Sequence, residues 1–181
     1  MKLTTLIIDD FLDDPDKIRN FLINNKVAFD VEGNFPGKRS TVVDNTSYQD
    51  MIIEKIQKIL SLKIKMKLDS FRFHLCLLGD ETWAHIDPTD WTGVLYLTPN
   101  APSESGTLFL EPDDQIMERV RNSEPCRTEC NVESAIGNVY NRMVLFRGSE
   151  IPHMGLVGGF GDGVENGRLS QVFFFSVMFI S

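Results

Sequence analysis

The sequence predicts a mostly β protein with flanking helices, an α+β arrangement in which helices pack on an antiparallel double sheet. Two observations lead to this prediction. Two segments before residue 62 repeat apolar residues with the period of a helix, whereas the segments after residue 69 alternate apolar and polar residues as strands do. At least five such strands follow the helices, separated by short turns. Helices followed by a run of strands are typical of helices packed against one face of a sheet.

The first 68 residues predict two short strands and two amphipathic helices. Residues 3–9, LTTLIID, are typical of a strand. The first helix is expected to begin at Pro15 with Asp14 as its N-cap, and its apolar face carries Ile18, Phe21 and Leu22. A Gly/Pro turn and a short strand follow in GNFPGKRSTVV. The segment SYQDMIIEKIQKIL then predicts a second helix with the apolar stripe Ile52, Ile56, Ile59 and Leu60.

The rest of the chain contains the predicted strands SFRFHLCLL, WTGVLYLTP, TLFLE, RMVLF and RLSQVFFFSVMF. In the first of these, Phe71 and Phe73 share one face and His74 lies on the other. Residues 112–138 lack a clear period and are expected to form a long loop with one short helix. Residues 155–167 form a glycine-rich turn or a mobile lid. We expect a single domain over residues 1–181, with 1–68 as a helical support region and 69–181 as the catalytic core.

Charge and composition restrict the function. The formal net charge of −8 argues against a nucleic-acid partner, because phosphate contacts need a basic surface. The N-terminal segment becomes acidic too soon for a signal peptide, and the longest apolar run is about half a membrane span. The cysteines, Cys76, Cys126 and Cys130, are few and odd in number, which favours free thiols over a zinc site. These observations predict a cytoplasmic protein that does not bind membranes.

A candidate metal site lies in WAHIDPTDW, residues 83–91, where His85 stands two residues before Asp87. Side chains two apart on an extended strand point to the same side, so both can reach one metal ion. His153, after the strand RMVLF, is a candidate third ligand. Two histidines and one carboxylate form the facial triad of non-haem Fe(II) oxygenases, which leaves coordination positions open. A turn at Asp87-Pro88 without any metal is the alternative.

The last strand offers a site for an anion. Arg168 and Ser170 are two residues apart, so both lie on one face of the strand. A guanidinium group binds a carboxylate through two parallel charged hydrogen bonds, and a serine hydroxyl adds another donor. Tyr96 is a candidate further donor or a core tyrosine. His74 is expected either to line the interior of the barrel or to be a hydrogen-bonded core histidine, and Arg39 is a candidate substrate contact.

The segments HID, GVLYL, NRMVLFRGSEIPH and RLSQVFFF, in this order, resemble the Fe(II)/2-oxoglutarate-dependent dioxygenases, in particular small prolyl-4-hydroxylase-like enzymes of bacteria and phages. The resemblance covers about residues 71–179. It implies a double-stranded β-helix, the cupin-like jelly roll. It further implies Fe(II), 2-oxoglutarate and dioxygen as cofactors, and hydroxylation of an unactivated carbon in a peptidyl proline or another small-molecule or peptide substrate. By this resemblance iron is bound by His85, Asp87 and His153, and the far carboxylate of 2-oxoglutarate by Arg168, Ser170 and Tyr96.

Two other functions are compatible with these residues. A jelly roll that binds a metal without catalysis would use the same triad, but it gives no role to Arg168 and Ser170. A metallohydrolase needs an additional general base near the metal. Only Glu81 and Asp90 are close to the triad in sequence.

Overall fold

Two antiparallel sheets form the core of the computed structural model, which describes residues 3–122 and 130–178. The larger sheet has the spatial order Thr5–Ile8 (β1), Met143–Phe146 (β8), Trp91–Tyr96 (β5), Arg168–Val177 (β10), Arg72–Cys76 (β4) and Lys38–Arg39 (β2). A seventh strand, Ile64–Met66 (β3), also pairs with β10. The smaller sheet contains Val132–Ile136 (β7), Thr107–Leu110 (β6) and His153–Gly155 (β9) in this order. This double sheet confirms the predicted fold class.

Three helices accompany the sheets in the described part of the chain, together with a short 3-10 turn at Ser103–Ser105. They are Pro15–Asn24 (α1), Thr46–Leu60 (α2) and Asp114–Arg121 (α3). Each begins with a side chain that accepts a hydrogen bond from a backbone N–H of the first turn, which would otherwise lack a partner. The N-caps are Asp14, Asn45 and Asp113. The predicted start of α1, with Asp14 as cap and Pro15 in the first turn, is confirmed.

Helices α1 and α2 cover the outer face of the larger sheet. Leu22 of α1 and Ile52 of α2 are fully buried against a cluster that includes Phe73 and Phe173. Phe21, which we expected on the same face of α1, is instead 48% exposed. A second cluster fills the space between the two sheets and contains Tyr96, Phe109, Ile136, Val144, Phe146 and Ile151. Strand β10 is therefore buried on both faces, which accounts for its run of phenylalanines.

Three strands were not predicted. β3 and β9 are only three residues long, too short to show an alternating pattern. β7 falls in the segment predicted to be a loop. Four of its five residues are exposed, so its sequence lacks the alternation of apolar and polar residues that would predict a strand. Helix α3 is the short helix expected there.

The cysteines differ partly from the prediction. Cys76 is a buried free thiol. Cys130 is in a disulfide bond, so the expectation of a free thiol is wrong there. Cys126 lies outside the described residues.

Strands β1, β2 and β3 belong to residues 1–68 and join the larger sheet, so this region supplies strands as well as helical support. Within residues 3–122 and 130–178, every helix is too short or too polar to cross a membrane.

Candidate active site

Backbone pairing brings the predicted metal ligands together. His85 and His153 face each other in an isolated antiparallel bridge, in which each N–H donates to the carbonyl of the other at 3.0 and 2.9 Å. The N–H of Asp87 donates to the carbonyl of Gly148 at 2.8 Å. These bonds join the segment around residue 86 to the segment around residue 150. Two parts of the chain that are far apart in sequence thus present all three side chains to one point.

The three side chains are arranged as a metal would need them. One ligand atom from each of His85, Asp87 and His153 lies within 4.8 Å of the other two. His153 Nε2 is 3.2 Å from Asp87 Oδ2, and His85 Nε2 is 4.0 Å from Asp87 Oδ1. The Nδ1 atoms face backbone carbonyls, that of Trp83 at 3.1 Å for His85 and that of Ile151 at 2.9 Å for His153. Donation from Nδ1–H leaves both Nε2 lone pairs directed at the shared point, as in metal-binding histidines generally.

The electrostatics of the triad favour the protonation states that bind metals. Burial, together with the neighbouring His153, lowers the pKa of His85 to about 4 despite the opposing effect of Asp87. Burial alone would raise the pKa of Asp87. The charge and hydrogen bond of His153, together with His85 and Thr92, outweigh it and lower this pKa to about 2. His85 is therefore neutral and Asp87 ionised at neutral pH, which are the forms that coordinate a metal.

Thr92 and Gly148 hold Asp87 in place. The hydroxyl of Thr92, on β5, donates to Asp87 Oδ2. Gly148 packs so closely that a Cβ there would lie 2.2 Å from Thr92 Oγ1 and 3.0 Å from Asp87 Oδ2. Neither residue was predicted, since hydroxyl residues and glycines are common in strands and turns.

Arg168 is a buried cation next to the triad, with 7% of its surface exposed. Its Nε donates to the carbonyl of Ser105 at 2.7 Å and its Nη2 to that of Gly106 at 3.1 Å. Across residues 3–122 and 130–178 no carboxylate lies within ion-pair distance of this guanidinium. A buried charge without a counter-ion is costly, so Arg168 is suited to bind an anionic ligand.

The other residues predicted to bind 2-oxoglutarate lie beside Arg168. Ser170 is opposite Tyr96 in the pairing of β10 with β5, and Ser170 lines the same cavity as the triad and Arg168. Tyr96 is fully buried behind this cavity, and its hydroxyl forms a 2.6 Å hydrogen bond with Thr107 Oγ1. Thr107 lines the cavity. The predicted hydroxyl donor was Tyr96 alone, whereas the structure has a hydrogen-bonded pair of hydroxyl groups, Tyr96–Thr107.

His74 and Arg39 complete the polar wall of the cavity. His74 is buried and contacts the carbonyl oxygen of Pro36 through Nε2. Burial and, to a smaller extent, the positive charge of Arg39 lower the pKa of His74 to about 3. His74 is thus both hydrogen-bonded in the core and exposed to the cavity, where Arg39 also lies. The empty volume is about 560 Å³, part of it open to solvent. Glu81 and Asp90 do not line it.

Comparisons with known proteins identify the fold. No family model and no curated protein sequence matches this chain. Among solved structures, HygX from Streptomyces hygroscopicus with nickel and 2-oxoglutarate bound is similar over 98% of this chain and 84% of its own, with a TM-score of 0.65 and 10% identity. A prolyl hydroxylase from Trichoplax adhaerens, in complex with a peptide fragment of hypoxia inducible factor, is similar over 95% and 83%, with a TM-score of 0.60 and 16% identity.

A Pseudomonas putida prolyl-4-hydroxylase is similar over 95% of this chain and 91% of its own, with a TM-score of 0.57 and 15% identity. At such low identity these likenesses establish architecture. The chain therefore shares the double-stranded β-helix fold of these structures.

Proposed function

We propose that this protein is an Fe(II)- and 2-oxoglutarate-dependent dioxygenase that hydroxylates an unactivated carbon. The observation that carries the proposal is the combination of two sites in one cavity. His85, Asp87 and His153 form a set of donors suited to a divalent metal. Arg168, a buried cation with no carboxylate partner in the described chain, stands beside them. A metal-binding module without catalysis would need the triad but not the buried Arg168.

The residues of the triad fit Fe(II) in chemistry as well as in position. Both imidazoles offer Nε2, and the Asp87 carboxylate is held by the Thr92 hydroxyl. Iron bound there with 2-oxoglutarate would supply the oxidising power for hydroxylation. A facial set of three ligands leaves the remaining positions for the co-substrate and dioxygen.

The protein's own contribution is to bind, orient and exclude water. Arg168 is proposed to pair with the distal carboxylate of 2-oxoglutarate, with Ser170 and the Tyr96–Thr107 hydroxyl pair beside it. Carbonyl groups of the 3-10 turn fix the direction of the guanidinium before any ligand arrives. Apolar walls from Val94, Val172 and Phe174 lower the local dielectric and strengthen this ion pair.

The primary substrate is a small molecule or a peptide. One neighbouring structure is a prolyl hydroxylase with a peptide fragment bound, and a peptidyl proline is therefore one candidate. A free amino acid or another small molecule is the other. A metallohydrolase is not favoured, because Asp90 accepts a hydrogen bond from Val177 N at 3.2 Å and, like Glu81, does not line the cavity.

The proposal is tested by anaerobic titration of the Fe(II)-loaded protein with 2-oxoglutarate, monitoring the visible charge-transfer band of the chelate. We expect the band with the unaltered protein and its loss in Asp87→Ala, because removal of one ligand from a three-ligand site abolishes iron binding. Asp90→Ala is the matched control, a nearby carboxylate outside the cavity, and should retain the band. A protein that binds iron but never forms the band would refute the oxygenase function.

A further inference from the structure

Arg39, on the edge strand β2, is a second cation of the cavity without a counter-ion. Its guanidinium carbon lies 3.9 Å from the centre of the Phe35 ring and 5.5 Å from that of Phe174. Its Nε is buried and has no hydrogen-bond partner. In the two described stretches of the chain, no carboxylate is within ion-pair distance of it. The aromatic rings hold the guanidinium in place, and Asp87 and Asp69 attract it from beyond ion-pair distance, but its buried Nε donor is left without a hydrogen bond.

Arg39 lines both the cavity that contains the triad and the open pocket that adjoins it. His85 and Asp87 line both spaces as well. A ligand in the open pocket can therefore contact Arg39 and approach the triad at the same time.

The guanidinium groups of Arg39 and Arg168 contact different parts of the cavity wall. Arg168 is the first residue of β10, whereas Phe174, which Arg39 faces, comes six residues later on the same strand. Arg39 is opposite His74 in the pairing of β2 with β4, and His74 is opposite Ser170 of β10, so the backbone of Arg39 lies near that of Arg168 while its guanidinium extends towards Phe174. Arg168 is anchored at the carbonyls of Ser105 and Gly106, on the smaller sheet's side of the cavity.

The charge of the cavity is unbalanced even with both cofactors in place. The charged residues that line it are Arg39, Arg168 and Asp87. Fe(II) and Asp87 together leave one positive charge, the two arginines add two, and 2-oxoglutarate removes two. One positive charge remains, and burial makes an uncompensated charge unfavourable.

We propose that Arg39 binds a carboxylate of the primary substrate, and that this substrate is a small carboxylic acid. The inference rests on the proposed function, since it names the substrate of the same site. A planar guanidinium matches a carboxylate through two parallel hydrogen bonds, and the flanking rings leave its edge as the open side. An internal residue of a peptide has no main-chain carboxylate to offer. A free small acid does, and the rest of the molecule can extend from Arg39 towards the triad.

The first experiment uses the Fe(II)- and 2-oxoglutarate-loaded protein without oxygen. Thermal unfolding is measured with a panel of small carboxylic acids, the proteinogenic L-amino acids among them, and with the corresponding carboxamides. Succinate formation in air is then measured with the same compounds. We expect one or a few free acids to raise the Tm and to stimulate succinate formation. Their carboxamides, which lack the negative charge, should do neither.

The second experiment compares variants of neighbouring residues on β2. Arg39→Gln should raise the KM for the accepted acid by about tenfold or more, with a much smaller change in the KM for 2-oxoglutarate. Arg39→Lys keeps the charge but loses the fork and should lie between. Lys38→Gln is the matched control, because Lys38 is exposed and pairs with Glu32 at 3.2 Å on the surface. It should leave both constants unchanged.

The outcomes separate the two proposals. If 2-oxoglutarate fails to bind to the iron-loaded protein, the proposed function fails. If it binds, but no free acid raises the Tm or Arg39→Gln behaves like Lys38→Gln, only the role of Arg39 fails. Equal turnover of a prolyl peptide amide by the unaltered protein and Arg39→Gln would also overturn it. Should Arg39→Gln not fold, Arg39→Lys and the comparison of acids with carboxamides decide the question.

Discussion

Replacing Arg168 by Gln should weaken 2-oxoglutarate binding strongly, and the structure sets the scale. Truncating one partner of a buried, hydrogen-bonded charge pair costs about 2–5 kcal/mol, which corresponds to a loss of roughly thirtyfold to several thousandfold in affinity. Arg168 is 7% exposed and has no competing carboxylate among the described residues. Two of its donors already bind the carbonyls of Ser105 and Gly106, so its orientation is fixed in advance. We therefore expect a loss in the upper part of that range, several hundredfold or more.

The assay is anaerobic calorimetric titration of the iron-loaded protein with 2-oxoglutarate. Arg168→Gln also removes donors from two buried carbonyls, at a cost of about 1–3 kcal/mol in stability, so the titration is made well below a separately measured Tm. The control is Arg142→Gln, which breaks the pair of Arg142 with Asp9 at 2.6 Å on the surface and should leave the affinity unchanged. An affinity for Arg168→Gln within about threefold of the unaltered protein would remove Arg168 from the co-substrate site.

Two further predictions concern the walls of the cavity. The pKa of His74 is about 3 in the folded protein against 6.5 for an ordinary imidazole, so its contribution to stability is present above pH 6.5 and is lost as the pH falls from there towards 3. Between pH 7.5 and pH 5 the unaltered protein should lose about 2 kcal/mol more free energy of unfolding in urea than His74→Gln, and equal losses would contradict this. Gly148→Ala should lower the affinity for Fe(II) by roughly 10–100-fold, because the new methyl group displaces Thr92 and Asp87. Gly163→Ala is the control, because the nearest atom to its new methyl group is a flexible carboxylate oxygen of Glu165 at 3.1 Å. A metal affinity of Gly163→Ala as low as that of Gly148→Ala would refute the steric explanation.

The predictable parts of this protein are those whose signal is local. α1 follows from an N-cap and a proline, β4 from the alternation of apolar and polar residues in its sequence, and β10 from its run of strand-forming phenylalanines. The spacing of His85 and Asp87 suffices to place both side chains near one point. These features need only the geometry of a helix or a strand, which a few consecutive residues determine.

The remaining parts depend on contacts between distant segments. The partner of His85 is His153, through an isolated bridge in which β9 has only three residues, and nothing in the local sequence indicates that pairing. The hydrogen bond of Tyr96 with Thr107 likewise joins two strands whose register the sequence does not reveal. Arg39 is close to Phe35 in sequence, but its second ring, Phe174, comes from the last strand. Sequence patterns identify the candidate residues. The pairing of strands determines which of these residues lie close together.

The two arginines of the cavity differ in how they are held, and this difference suits different ligands. Arg168 is fixed by hydrogen bonds to backbone carbonyls, so its side chain loses little conformational entropy when a carboxylate binds. This is the arrangement expected for a co-substrate that is the same in every turnover. Arg39 is held by ring contacts alone and keeps an unmatched buried donor. Its hydrogen bonds are completed by the anion that enters the cavity. A substrate with a carboxylate in the right place therefore forms these hydrogen bonds, whereas a substrate without one leaves the donor unpaired. Selectivity for the substrate then follows from the cost of leaving a buried donor unpaired, which is larger than the gain from an extra apolar contact.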